Sequence, residues 1–300
     1  MSAITLENIT KKYGNFTAVD SVFIDVPAGA IFGLLGPNGA GKTTSIRMIN
    51  GITLPDSGAI TIFGEKQHPG HQDIIGYMPE ERGLYRKVTV QTQLEYLGAL
   101  KGIGHDKLKQ SIDYWLNRFE ITSWRKKKTN ELSKGMQQKL QFIVTLLHDP
   151  KILILDEPLS GLDPINAEII NDIILEEKQK GKTILLSSHR MEQVEQLCDE
   201  IAMINLGKIV LSGTLREVKK RYGKNFVLVH YDGQINAEEE LKGFPVRIAE
   251  RHNNEFTFEL LNGASKNEIL RHLAAKIDIV KWELIEPPLV EIFLDAVKTN

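Results

Sequence analysis

From residue 31 to about residue 204, apolar runs that end in turn or polar residues alternate with helical patterns. That alternation predicts a parallel sheet with helices on its faces. Three runs, 31–35, 152–155 and 183–187, read as central strands, and each ends directly in a polar cluster. Ligands of open α/β sheets sit at the carboxyl ends of strands. The clusters at 36–44, Asp156-Glu157 and His189 are therefore expected to meet at one site despite their distance along the chain. Residues 88–147 break the alternation and read as a helical insert. Ile112, Trp115, Leu116 and Phe119 form one apolar stripe, and Leu140, Ile143, Val144 and Leu147 form another, both at helical spacing and both read as core packing.

A hairpin is expected at 201–205 and 208–211 across Gly207. Thr214-Leu215-Arg216-Glu217 is a capping box opening a helix that ends near Gly223. The pattern then changes to short strands at 226–231, 246–249, 255–260 and 277–285, with period-2 alternation at Phe256, Phe258 and Leu260. Ser265-Lys266-Asn267-Glu268 is a second capping box. Pro287-Pro288 precedes a last helix with Leu289, Ile292, Phe293 and Ala296 on one face. Residues 224–300 thus read as a small, separate α+β domain. Its apolar helix face is read as packing internally or against a second copy.

Composition narrows the function more than the fold. A net charge of −2 argues against a general nucleic-acid binder. The single cysteine, Cys198, excludes an internal disulfide and a cysteine zinc cluster and reads as a core thiol. No apolar run approaches a membrane span, and the N-terminus lacks the pattern of a signal peptide. A soluble chain is expected, with any membrane role supplied by a partner. Arg125-Lys126-Lys127-Lys128 reads as a solvated face, with anionic lipid or a permease as the other reading.

The segment from Gly36 to Thr44 (GPNGAGKTT) fits the phosphate-binding pattern G-x-x-x-x-G-K-[ST]. Its glycines let successive N–H groups cup an anion. Lys42 brings a fixed charge to the β/γ-phosphates, and the Thr43 hydroxyl is a hard oxygen ligand for Mg²⁺. Asp156 and Glu157 end a buried strand. Because strand neighbours point to opposite sides, Asp156 is assigned to Mg²⁺ and Glu157 to the attacking water. Leu132-Ser133-Lys134-Gly135-Met136 starts a helix, with Ser133 at the N-cap position and Gly135 leaving room for an anion. One nucleotide hardly needs two such sites from one chain. A head-to-tail dimer follows, with Ser133 and Gly135 closing over the γ-phosphate held by the other copy.

In this order the residues resemble the ATP-binding-cassette (ABC) ATPases over residues 1–220. Tyr13 stands where the adenine-stacking aromatic stands, 36–44 is the Walker A loop, and Gly76-Tyr77-Met78-Pro79-Glu80 resembles the Q-loop. Leu132–Met136 stands at the signature, Asp156-Glu157 at Walker B, Ser160-Gly161-Leu162-Asp163 at the D-loop, and Ser187-Ser188-His189 at the switch histidine. The resemblance implies an α/β P-loop NTPase (RecA-like) core with a parallel sheet, antiparallel N-terminal strands and the helical insert over residues 1–223. The small α+β domain at 224–300 follows. It implies Lys42, Glu157 and His189 as catalytic residues. ATP would be bound by Tyr13, Gly36, Asn38, Gly39, Gly41, Lys42, Thr43, Thr44, Ser133 and Gly135, and Mg²⁺ by Thr43, Asp156 and Glu80. Asp163 is read as passing information between the two sites and, locally, as an N-cap before Pro164.

Three positions depart from the pattern: Glu80 replaces the Q-loop glutamine, Lys134 a glycine and Met136 a glutamine. With Glu80-Glu81-Arg82-Gly83-Leu84-Tyr85 and the tail at 291–297, they resemble the bacterial sodium-extrusion and drug-resistance exporter branch. The expected activity is ATP hydrolysis driving a separate membrane permease from the cytoplasmic face, by opening and closing of a homodimer, without nucleic acid. Tyr85, Arg86 and Lys87 are candidates for the permease groove. A soluble, non-transport cassette ATPase and a low-turnover regulatory module, the latter motivated by Glu80 and Lys134, are the alternatives.

Overall fold

The computed structural model describes residues 1–81, 83–221 and 226–299. Arg82 and the expected helix end at Gly223 lie outside them. The chain divides into two compact units, 1–213 and 214–300. The change of pattern in the sequence put that division at 223/224. The difference has a local cause. The Thr214 hydroxyl accepts the Glu217 N–H and the Glu217 carboxylate accepts the Thr214 N–H, so the capping box groups with the helix it opens.

The first unit opens with strands β1 (Ser2–Tyr13) and β2 (Phe16–Pro27) and continues through β3 (Ile31–Leu35), helix α1 (Lys42–Ile49), β4 (Ser57–Ile62), β5 (Glu65–Lys66) and β6 (Ile75–Met78). The helical insert holds α2 (Val90–Leu100), α3 (His105–Arg118) and α4 (Lys134–Leu146). Then come β7 (Ile152–Asp156), α5 (Pro164–Gln179), β8 (Thr183–Ser188), α6 (Met191–Leu197), β9 (Glu200–Asn205) and β10 (Lys208–Thr214).

An antiparallel sheet has the order β2-β1-β4-β5. A second sheet has the order β10-β9-β3-β8-β7-β6, with β9, β3, β8, β7 and β6 paired in parallel. In β2, Val22, Ile24 and Val26 are buried while Phe23 between them is exposed, the alternation of a strand wet on one face. By contrast β3, β7 and β8 are buried at every position, as parallel strands covered on both faces must be. One core joins both sheets and α1, through Leu6, Ile24, Leu34, Met48 and Ile154 among others. β9 and β10 form the expected hairpin. Leu206 and Gly207 both have positive φ (47° and 80°), which the tight two-residue turn requires.

In the insert, the α3 stripe is buried as expected, and Phe119 meets Phe142 of α4 edge to face at 6.1 Å. Helix α4 corrects the single-stripe reading: Gln138, Gln141, Phe142, Thr145 and Leu146 are buried as well. It is an interior helix rather than a surface one. The basic run is partly structural, since the Arg125 guanidinium donates to Gln91 Oε1 (2.9 Å) and pairs with Asp113. Cys198 is buried, and burial pushes its thiol pKa upward, so it is inert core.

The second unit contains α7 (Leu215–Arg221), β11 (Phe226–Asp232), α8 (Ala237–Glu240), β12 (Val246–His252), β13 (Glu255–Leu260), α9 (Lys266–Ala274), β14 (Asp278–Ile285) and α10 (Leu289–Thr299). Its sheet order is β12-β13-β11-β14, antiparallel throughout. Val227, Val229, Phe256, Phe258, Ile269 and Leu273 belong to its own core. In α10, Leu289 and Ile292 are fully buried within the chain, and Glu291 is tied to Arg247. Among the described residues no helix is long and apolar enough to cross a membrane.

Candidate active site

Four parallel strands deliver their carboxyl ends to one edge of the sheet. β3 leads into the Gly36–Thr44 loop, β6 into Pro79-Glu80, β7 into Glu157 and β8 into His189. Two loop glycines are sterically required. At Gly36 (φ 154°) a Cβ would lie 2.2 Å from the Ile204 carbonyl oxygen, and at Gly41 (φ 111°) 2.5 Å from that of Ala18. Only glycine lets the loop press this closely on its neighbours while turning into α1. The cleft is lined by Tyr13, Phe16, Ala18, Asn38, Gly39, Gly41, Lys42, Thr43, Thr44, Glu80 and Glu157.

The Lys42 ammonium is buried and donates to the carbonyls of Gly36 (2.7 Å) and Pro37 (3.1 Å), and it lies 4.0 Å from Glu157 Oε1. Burial lowers its pKa, while the charges of Glu157, Asp156 and Glu80 pull it back up. The loop thus holds a buried cation against its own carbonyls.

Ser187, at the end of β8, organises both Walker B carboxylates. Its hydroxyl donates to Asp156 Oδ1 (2.5 Å) and accepts the Glu157 N–H (3.2 Å). Asp156 is fully buried, and its Oδ2 has no hydrogen-bond partner. An orphaned, buried carboxylate oxygen beside a phosphate loop is the donor a hard cation takes. Glu157 corrects the strand-alternation argument. β7 ends at Asp156, and Glu157 turns off it in the left-handed region, with φ 51°. A non-glycine residue there is strained, and such strain clusters at working sites. The turn brings Glu157 Oε1 to 2.8 Å from His189 Nδ1. The His189 side chain itself is half exposed.

Tyr13 and Phe16 face each other across the β1–β2 register and are both exposed at the cleft rim. Lys11 Nζ lies 5.8 Å from the centre of the Tyr13 ring. Phe16 went unread in the sequence, although an aromatic three residues after Tyr13 across a tight turn is a second stacking surface. Ser133 and Gly135 do not line the cleft of their own chain. Ser133 is exposed and caps α4, accepting the Met136 N–H (3.3 Å). Gly135 abuts the D-loop, where a Cβ would meet Leu162 at 3.4 Å. Asp163 is the N-cap of α5 ahead of Pro164, accepting the Asn166 N–H at 3.0 Å.

Among the described residues one group of metal-ligating residue types stands elsewhere: Glu65, His68 and His71. His68 Nδ1 accepts the Gly70 N–H and His71 Nδ1 the His68 N–H, which leaves the ring protons on the two Nε2 atoms that face Glu65. The cluster is a hydrogen-bonded turn, with the wrong tautomer for a metal.

Residues 19–160 match the ABC transporter family, and residues 213–297 match the C-terminal domain of DrrA1-3-like ATP-binding proteins. The chain is 42% identical over 294 residues to the ABC transporter ATP-binding protein YhaQ of Bacillus subtilis (strain 168), covering 98% of each. The chain belongs to the ABC transporter ATP-binding proteins. It is also 33% identical over 304 residues to the linearmycin resistance ATP-binding protein LnrL of the same organism, covering 96% of each. Among solved structures it resembles an ATP-binding subunit of an ABC transporter, with a TM-score of 0.69, 29% identity and coverage of 74% of this chain and 94% of that one. The chain is thus an ATP-binding, ATP-hydrolysing subunit of a transporter. ABC subunits of this kind dimerise and work with membrane permease components. Neither a non-transport cassette nor a low-turnover regulatory module finds support among these relatives.

Proposed function

We propose that two copies of this chain close head to tail on two ATP molecules and, through a permease at the cytoplasmic face of the membrane, drive export. The observation that carries this reading is the convergence of Lys42, Glu157 and His189 at the strand ends, beside the unpartnered Asp156 Oδ2. Tyr13, with Phe16, stacks the base, and the 36–44 backbone with Lys42 holds the phosphates. Glu157 orients and deprotonates the attacking water, while His189 holds Glu157 in register and reaches toward the γ-phosphate. Thr43, Asp156 and Glu80 are the residues for Mg²⁺, which when bound neutralises phosphate oxygens. Phosphoryl transfer asks for positioning and charge stabilisation, and this set supplies both.

Ser133 and Gly135 close the site of the other copy, an assignment supported by the exposure of Ser133 and by the absence of both from their own cleft. The similarity to a resistance protein supports the direction of transport. The permease docks beside the Q-loop, in an apolar groove lined by Tyr85, Val88, Thr92, Gln93 and Tyr96. Gln93 Nε2 is buried there without a partner and offers a donor to an incoming carbonyl.

Mixing two inactive variants tests the shared site. Ser133→Arg blocks closure on the other copy, and Lys42→Ala weakens the phosphate loop. Heterodimers hold one intact composite site and one doubly damaged site, so activity returns on mixing. No return under verified subunit exchange means the site is not shared.

A further inference from the structure

Helix α4 starts at the exposed Ser133 cap and runs into the core, and four of its buried residues, Gln138, Lys139, Gln141 and Thr145, are polar or charged, two of them glutamines. Gln138 and Gln141 are 2% and 4% exposed. Leucine or methionine would occupy such positions without the cost of burying an amide, so the two glutamines call for a reason. Their contacts supply one. Gln138 Nε2 donates to the carbonyls of Glu157 (3.3 Å) and Pro158 (3.0 Å). Gln141 Nε2 donates to the carbonyls of Pro79 (2.6 Å) and Glu81 (3.4 Å). One amide therefore holds the main chain at Glu157, and the other straddles Glu80. Both carboxylates line the phosphate cleft. Gln141 Oε1 is buried without a partner, so the donor side of its amide is what fixes it. The neighbouring Gln137 turns elsewhere: its Nε2 donates to Thr129 O (3.3 Å) and Leu132 O (3.0 Å), inside the helical insert.

We propose that Gln138 and Gln141 are positioning residues that tie the α4 start, where it meets the partner's nucleotide, to Glu157 and Glu80 in the cleft of their own chain. This inference rests on the head-to-tail closure proposed above. The N-terminal end of α4 reads whether the other site is loaded. The helix is a continuous 13-residue element, so a shift at Ser133 is carried to residues 138 and 141. There it is passed to two carbonyl segments outside regular strands. The Glu157 turn, already in a strained backbone region, is where such a shift changes a side chain's aim. Occupancy of one site thereby sets the rate at the other. The connection is physical contact through one rigid element, and its strength is a coupling free energy between two sites.

The test uses full-length chains in tagged mixed dimers. One chain has an intact phosphate loop, and the other is either unaltered or Lys42→Ala, so the second site is loaded or empty. The measured quantity is the turnover of the intact-loop site with the second site loaded, divided by its turnover with the second site empty. For unaltered glutamines this ratio is expected to be about 5 to 150, the usual span of intersite coupling. Gln138→Met and Gln141→Met, each placed singly in the intact-loop chain, keep volume and remove the donor, and each is expected to bring the ratio toward one. Gln137→Met, on the same helix, keeps the ratio. Thermal melting and ATP affinity of each variant verify an intact cleft, and the two single variants are read separately so that either one decides if the other fails to fold. A ratio unchanged in both variants, or lowered as far by Gln137→Met, overturns the positioning role while leaving the shared site standing. A ratio of one with unaltered glutamines overturns the coupling, and the shared site then stands or falls by the mixing of Ser133→Arg with Lys42→Ala.

Discussion

The two units of this chain handle buried polarity in opposite ways. In residues 1–213, Ser45, Asn50, Gln93, Gln141, His148, Asp156 and Asn171 each bury a polar side-chain atom with no partner. Among the described residues of 214–300 no such atom occurs. Backbone strain divides the same way, since every described non-glycine residue with positive φ, Glu157 included, lies before residue 213. In the second unit charged groups pair off: Arg247 with Glu259 and Glu291, His230 with Glu255, His272 with Glu240. An unpaired buried group and a strained turn each cost free energy, and a fold keeps them where a ligand or a partner makes use of them. Of the unpartnered groups in the first unit, Asp156 and Gln93 stand where a cation and a permease are proposed to bind, whereas the second unit pairs its charges within itself.

The sharpest way to test that contrast is Glu157→Gln. It leaves the phosphate loop intact but removes the group that orients the water. Turnover is expected to fall by roughly 10²–10⁴-fold, as for a positioned general base, with ATP affinity retained. Steady-state hydrolysis beside calorimetric binding decides, and turnover within threefold of the unaltered chain refutes the base assignment. Ser187→Ala should cost less. It frees Asp156 Oδ1 and leaves the Glu157 N–H only the Ser187 carbonyl at 3.3 Å, and a loss of about tenfold in turnover with a destabilisation of about 1–3 kcal/mol is expected. An unchanged rate means that Ser187 only packs.

Crossing to the second unit, Arg247→Ala leaves Glu291 buried without its cation. It is expected to lower stability by about 1–3 kcal/mol, seen in thermal melting, while hydrolysis per folded molecule stays the same. A matching loss of ATP affinity breaks the division between the units. The smallest effect is expected from ending the chain after Gly213. That truncated protein should bind and hydrolyse ATP at a rate within threefold, with any change confined to dimerisation. If it folds by circular dichroism yet fails to bind ATP, the second unit contributes to the site.

Most of the cleft was legible because its chemistry is local. A phosphate loop needs glycines, a lysine and a hydroxyl at fixed offsets, and GPNGAGKTT states them directly. Helix caps are equally local: Ser133, Asp163 and Ser265 each sit at the N-cap and accept a backbone N–H. The apolar runs at 31–35, 152–155 and 183–187 announced a parallel sheet, and the rule that ligands sit at strand ends brought distant motifs together. The alternation of the tail likewise announced a small α+β domain with half-buried strands, whose antiparallel pairing the structure adds.

What stayed hidden depends on contacts between segments far apart in the chain. Glu157 reads as one more strand residue until the Ser187 hydroxyl and carbonyl are seen drawing its N–H into a left-handed turn. Helix α4 reads as one stripe until both of its faces are found covered. Gln138 and Gln141 look like ordinary helix formers, and only the fold brings the carbonyls of Glu157, Pro158, Pro79 and Glu81 to their amides. Residue type and spacing determine which groups can bind a phosphate, cap a helix or bury a strand, because those requirements are met within a few residues. Which carbonyl a buried amide finds, and which way a carboxylate turns at a strand end, are decided only when helix, loop and strand segments 19 to 62 residues apart in the chain are packed together.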